Sequence, residues 1–426
     1  MEKLGSFDAF AQTGFSPYFL GTDNTLLVNS GPSGGLTSLR RFDFKTMHPE
    51  RDAIISLDGF DFTGAVDTDD DDGRILGYHY RTDADGTVWV NPKMRELQAK
   101  IDKALPGTIN TIHCGACLTT SHYLIASRSD RQSPVFIVYD PANDKYSQVG
   151  AQYPTLKPAE MGTRDFARFA ARDGLSIPVW VTLPPGKSKG PFPTIVYVHG
   201  GPFARGSQWE WSQIPQFLAV HGYAVIEPEF RGSEGFGHSF FLAGWKQWGL
   251  AMQDDVADAA KWAISKGYAD PKRIAIGGAS YGGYATLMGL IKDPEIYRCG
   301  FEWVGVTDLK LIYADNWNDA GDEYLAFGAP RMVGDLVKDA DQIKATSPVE
   351  QADRLKQPLL MAYGGLDRRV PIVNGTEMRS ALSDHNKNVE WISYASEGHG
   401  WYIEADDIDF WTHVLKFLDT NLRDAT

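Results

Sequence analysis

The run Ile274-Ala275-Ile276-Gly277-Gly278-Ala279-Ser280-Tyr281-Gly282-Gly283 constrains this chain more than any other stretch. A short β-branched segment stops at glycines, carries one serine and passes into the helix-favouring Tyr284-Ala285-Thr286-Leu287-Met288. The order is strand, sharp turn, helix, with the spacing Gly278-x-Ser280-x-Gly282 of a nucleophile elbow. Such a turn strains the serine backbone and brings neighbouring chain close, and both conditions favour glycine on either side. It lifts the Ser280 hydroxyl out of the sheet and points the Tyr281 N–H, at a helix N-terminus, to where an oxyanion would form. In a chain with 43 glycines the spacing alone is a weak signal, so the flanking strand and helix carry the reading.

The length of 426 residues exceeds one ordinary core and predicts two domains. A net charge of −14 argues against nucleic acid as the main ligand, and no apolar run reaches the length of a membrane span. The first eight residues lack the basic-then-apolar layout of a signal peptide, so a cytoplasmic location is the expectation. Three cysteines imply no disulfide framework. Cys114 and Cys117 form a CxxC beside His113, but neither a thioredoxin-like context nor a second zinc-ligand pair accompanies it. Cys299 opens an apolar segment and reads as core.

Residues 1–165 read as all-β: short apolar runs recur between turn clusters, as a partial propeller of about three blades would require at about 40–45 residues each. Met94, Leu97, Ile101 and Leu105 predict one interrupting helix that Pro106 stops. The acidic run Asp67 to Asp72 reads as a solvated loop, without the ligand spacing of a calcium loop. From residue 166 to 426 strands and helices alternate, predicting an α/β domain with a doubly wound, mostly parallel sheet. Its strands are expected at 194–198, 224–228, 273–276, 301–306, 359–363 and 389–394, after a hairpin turning at Asp173-Gly174.

Each chemistry-bearing loop follows one of these strands, at the C-terminal edge where open α/β sheets hold ligands. His199-Gly200-Gly201-Pro202 reads either as an ordinary Gly-Pro turn or, with the elbow present, as a loop whose Gly201 N–H donates to an oxyanion. Asp367, in Gly365-Leu366-Asp367-Arg368, could be a turn or cap residue, yet it follows Ser280 and precedes the candidate base His399. His399 sits in Gly398-His399-Gly400; His385 lies in a polar turn and His413 within the last helix. The order Ser280, Asp367, His399 matches a nucleophile, an orienting carboxylate and a general base.

On these motifs, with Glu229-Phe230-Arg231-Gly232-Ser233-Glu234-Gly235-Phe236-Gly237 and Gly364 to Pro371, the chain from about residue 165 onward resembles the catalytic domain of prolyl oligopeptidase family serine peptidases. The likeness is nearest to the acylaminoacyl-peptidase and dipeptidyl-aminopeptidase-like branch. It implies an α/β-hydrolase domain, with Ser280, Asp367 and His399 as catalytic triad and the Gly201 and Tyr281 N–H groups as oxyanion hole. It also implies a specificity pocket lined by the segment of Val306 and Leu309, and no cofactor or metal. Family members carry a full β-propeller, whereas this chain has room for part of one. A truncated chain, with a lost signal peptide, and a natural short form both fit. The expected partners are a short peptide or acylated amino-acid substrate and, through unpaired strand edges, a second copy of the chain; nucleic acid and membrane are not expected. A carboxylesterase for small acyl or aromatic esters would use the same triad. A non-catalytic interaction protein on a decayed hydrolase scaffold is the rival from another class.

Overall fold

The computed structural model describes residues 7, 14–314 and 321–423, so the first eight residues lie outside it except for Phe7. The chain divides into two compact units. The first holds Met1–Arg164 together with Gln208–Phe217 and Glu234–Phe240, and the second holds the remaining segments through Thr426.

Three antiparallel sheets make up the first unit. β1 (Phe15–Leu20), β2 (Leu26–Ser30), β3 (Ser38–Asp43) and β4 (His48–Ile55) pair in chain order. β5 (Gly64–Thr68), β6 (Ile75–Arg81) and β7 (Asp85–Trp89) form the second sheet. β8 (Ile109–His113), β9 (Tyr123–Arg128), β10 (Val135–Asp140) and β11 (Lys145–Ala151) form the third. Between the second and third sheets runs a helix, Pro92–Ala104. Asn91 caps it by accepting the Met94 N–H, Pro92 supplies a preset first residue, and Met94 and Ile101 bury its apolar side. These two side chains join Leu76, Trp89, Ile125 and Tyr139 in one core.

Two segments of the first unit return to it from far along the chain. The Asp61 carboxylate accepts N–H groups from Thr37 and Gly237, each at 2.8 Å. Gln216 accepts the Gly162 N–H at 2.8 Å and donates to the Asp130 and Gly162 carbonyls at 2.8 and 2.9 Å. Two expectations are corrected here. Cys114 and Cys117 form a disulfide, which the cysteine count gave no reason to expect. The acidic loop is not wholly solvated: Asp69 is 2% exposed and accepts N–H groups from Asp71 and Leu118. Among the described residues no group of three or more His, Cys, Asp or Glu side chains could hold a metal ion. No helix there is long and apolar enough to cross a membrane.

The second unit is built on one eight-stranded sheet. Its strands are β12 (Thr163–Ala170), β13 (Ser176–Leu183), β14 (Phe192–Val198), β15 (Ala224–Pro228), β16 (Ala269–Ala279), β17 (Cys299–Trp303), β18 (Leu359–Gly364) and β19 (Val389–Tyr394). The spatial order is β12-β13-β15-β14-β16-β17-β18-β19. β13 and β15 are antiparallel, and every pair from β15 to β19 is parallel. β17 and β18 are buried at every residue, as strands covered on both faces must be. The thiol of Cys299, on β17, is pushed up to about 12 by burial, in keeping with a core residue. After β14 the chain moves to β15 on one side, then back past β14 to β16 on the other. The crevice over β14 and β16 is therefore the switch point of the sheet.

An ion pair fastens the loop after β15 to the helix Ala251–Ser265. Arg231 donates Nε and Nη2 to Asp255 at 2.8 and 2.7 Å, and Nη1 lies 2.8 Å from Asp173. Burial opposes the charge on Arg231, but the hydrogen bonds to Asp255 and Asp173 outweigh it and raise its pKa. Asp255 is fully buried, so Arg231→Ala would leave a carboxylate without its partner. The expected cost is about 3–5 kcal/mol, read as a lower urea midpoint at pH 7; a midpoint equal to wild type would show that the pair contributes no net stability.

Candidate active site

Ser280 stands between β16 and the helix Tyr281–Lys292 with φ 58° and ψ −118°, a conformation that costs an ordinary L-residue on the order of 1–3 kcal/mol. Neighbouring chain holds it there. The Ser280 N–H donates to Trp303 O on β17 at 3.1 Å, and the Tyr284 N–H donates to Ser280 O at 3.0 Å. The glycines are required by close approach. A Cβ on Gly282 would lie 2.0 Å from Val198 O, and one on Gly278 would lie 2.3 Å from the same atom. Gly282→Ala must push the elbow away from β14. We expect a loss of roughly 100-fold or more in kcat, with a stability cost of about 1–3 kcal/mol. Parallel measurement of kcat and Tm checks this; unchanged values for both would mean the elbow is looser than its contacts imply.

The loop after β14 runs beside the serine. A Cβ built on Gly200 would be in contact with Ser280 Cβ at 3.5 Å, and Gly201 adopts φ +118°, a glycine conformation. Tyr281 is the first helical residue, so its N–H has no acceptor within the helix. Glu229, 1% exposed, accepts the N–H groups of Gly206 and Ser207 at 2.8 Å each and so anchors the far end of the glycine loop. His199 is occupied by neighbours: Nδ1 lies 2.7 Å from Gly200 O and Nε2 lies 3.1 Å from Ser233 Oγ.

Asp367 and His399 meet directly. His399 Nδ1 lies 2.8 Å from Asp367 Oδ2. The other oxygen, Oδ1, accepts the N–H groups of Arg369 and Val370 at 2.8 and 2.9 Å. Asp367 is 6% exposed, so these bonds replace the water it has lost. Their two loops are tied together, since Gly365 N–H donates to Tyr394 O and Leu366 N–H to Glu397 O, both at 2.8 Å. Sheet register accounts for the convergence. Ala279, Trp303, Ala362 and Ile392 are successive partners across β16 to β19, so Ser280, Asp367 and His399 all leave the same edge of a parallel sheet. No hydrogen bond joins the Ser280 hydroxyl to His399 among the described residues. Val306 and Leu309 are 3% and 1% exposed. Between them Thr307 is pinned to Asn374 by an N–H bond of 3.1 Å and a hydroxyl bond of 2.8 Å. The sequence reading passed over Glu229 and Arg231 as individual residues, and passed over Glu302. An acidic residue inside an apolar strand, as in Cys299-Gly300-Phe301-Glu302-Trp303, is the signal that was there to find.

The parallel sheet, its switch point and the serine turn over β16 place the second unit in the α/β-hydrolase class. Residues 209–425 match the model of the prolyl oligopeptidase family, and the chain belongs to that family. It is 32% identical over 326 residues to dipeptidyl aminopeptidase BIII of Pseudoxanthomonas mexicana, covering 73% of this chain and 46% of that protein. It is 26% identical to the acylamino-acid-releasing enzyme of Homo sapiens, covering 60% of this chain and 35% of that one. Among solved structures, a puromycin-hydrolyzing peptidase of Mycobacterium tuberculosis superposes with a TM-score of 0.77 at 19% identity, over 96% of this chain and 62% of the other. The acylaminoacyl peptidase of Pyrococcus horikoshii gives 0.68 at 18% identity, over 94% and 62%. The last two share the fold. The chain spans about half the length of the first curated relatives it matches.

Proposed function

We propose that this chain is a serine peptidase that hydrolyses short peptides or N-blocked aminoacyl substrates through an acyl-enzyme on Ser280. The observation that carries the reading is the 2.8 Å bond between buried Asp367 and His399, on loops that leave the sheet edge from which the strained Ser280 projects. Asp367 would hold the His399 ring with Nδ1 protonated, leaving Nε2 to take the Ser280 proton. Ser280 Oγ attacks the carbonyl carbon, and the Gly201 and Tyr281 N–H groups receive the oxygen as it becomes negative. His399 returns the proton to the leaving amine, and water then releases the acyl group by the same steps. The segment of Val306 and Leu309 would favour an apolar side chain next to the scissile bond. Names of the relatives, a dipeptidyl aminopeptidase and an acylamino-acid-releasing enzyme, support a peptide substrate.

The test is turnover of acylated aminoacyl anilides against the matched esters, with a fluorophosphonate probe to count reactive serine. Labelling at Ser280 with anilide cleavage supports the peptidase reading. Labelling with ester cleavage alone would replace it by an esterase. No labelling and no turnover would leave an interaction protein on a hydrolase scaffold.

A further inference from the structure

Behind the elbow lies an ionisable group that the mechanism above does not use. Glu302 is on β17, one strand from the strand of Ser280, and is fully buried. Its Oε2 accepts the Gly305 N–H at 3.0 Å, while Oε1 has no hydrogen-bond partner among the described residues. The carboxyl presses on the elbow helix: a Cβ on Gly283 would lie 3.0 Å from Oε2 and 2.6 Å from the Gly305 Cα. The Tyr363 hydroxyl donates to Gly305 O at 2.8 Å and also faces the carboxyl. The next residue, Trp303, supplies the carbonyl that receives the Ser280 N–H. Glu302 and its neighbours thus hold the elbow from behind at two places, Ser280 and Gly283.

Among the described residues no cation pairs with this carboxyl. From β18 the group facing it is Tyr363, with Asp367 beyond the tyrosine. The elbow helix presents Gly283 and carries no charged side chain before Lys292, its last residue. A carboxylate here would have one amide donor and a tyrosine already committed to a carbonyl. A carboxylic acid carries no net charge, so full burial with a single amide donor costs it far less than it costs the ion.

We propose that Glu302 is a positioning residue that works as the neutral acid, and that its ionisation in alkaline solution loosens the seat of the Ser280 elbow. This rests on the peptidase reading for its catalytic part only. Burial pushes the Glu302 carboxyl up to about 8, outweighing the Tyr363 hydroxyl and the Gly305 N–H, which favour the ion, so the change falls just above neutral pH. Ionised, the carboxylate competes with Gly305 O for the Tyr363 hydroxyl and pulls harder on the Gly305 N–H, so the Gly305 backbone behind Gly283 is shifted. The sign for stability follows from the same shift. The folded state holds a proton that the unfolded state has released from about pH 4.5 upward, so stability falls as pH rises from there to about 8 and is level beyond. That penalty is absent in a variant that cannot ionise.

The experiment compares wild type with Glu302→Gln, and with Glu302→Met should the amide fail to fold. Wild-type kcat on a peptide anilide should fall about tenfold per pH unit above about 8 with KM unchanged; E302Q should stay within about twofold of wild type at pH 7 and hold that rate to pH 9. An E302Q profile that superposes on wild type overturns the proposal. The second readout needs no turnover and separates this inference from the functional reading. The excess Tm of the non-ionising variant over wild type should be smallest near pH 5 and grow by several degrees toward pH 8.5. A difference independent of pH overturns the proposal even if the chain proves not to be a peptidase.

Discussion

Ser280→Ala is expected to lower kcat for anilide hydrolysis by roughly 10⁴–10⁶-fold and to abolish fluorophosphonate labelling, while Tm stays at the wild-type value. The first part follows from the loss of the only oxygen that the elbow offers to a carbonyl carbon. A residual rate over water would survive, because the proposed Gly201 and Tyr281 N–H donors would still be in place to stabilise an oxyanion. The second part follows from the backbone. Alanine keeps the Cβ, and the bonds that hold φ at 58° run through the main chain to Trp303 and Tyr284. The strain at this position is therefore the same in both proteins. Turnover near wild type in the alanine variant would remove Ser280 from the mechanism.

Asp367→Asn should lower kcat by about 10⁴-fold without unfolding the protein. The two amides of Arg369 and Val370 select the oxygen of the new side chain, since only an oxygen can accept them at 2.8 and 2.9 Å. The amide nitrogen must then face His399. Two donors cannot share that bond, so the ring changes tautomer, accepts at Nδ1 and carries its proton on Nε2. In that form it has no lone pair for the Ser280 proton. KM should change far less than kcat, because the Asp367 side chain is 0% exposed and offers no surface to substrate. A variant that keeps kcat within tenfold of wild type would show that Asp367 does not orient the base.

Much of this organisation could be read from the chain because it is local. Alternating strands and helices, the Met94 and Ile101 spacing, and glycines around Ser280 are patterns within a dozen residues. Each of Ser280, Asp367 and His399 follows its own apolar strand, and a parallel sheet delivers all such loops to one edge. What was missed is of another kind. Arg231 meets Asp255 across 24 positions, and Tyr363 meets Gly305 across 58. Gln208–Phe217 and Glu234–Phe240 look like loops of the α/β unit in chain order, yet they pack with the first unit. Their polar anchors, Gln216 and Asp61, have no periodicity to betray them. The Cys114–Cys117 pairing likewise depends on a turn whose shape is not spelled in the spacing.

By itself, then, the order of residues determined which segments pair into strands, where the serine turn falls, and which side chains emerge beyond strand ends, since backbone sterics and hydrophobic period act over short range. Only the tertiary structure decided which of those side chains touch and in what electrostatic surroundings. Strand order across the sheet sets distances between residues remote in the chain, and burial, which no local pattern records, sets whether Glu302 is an acid or an ion.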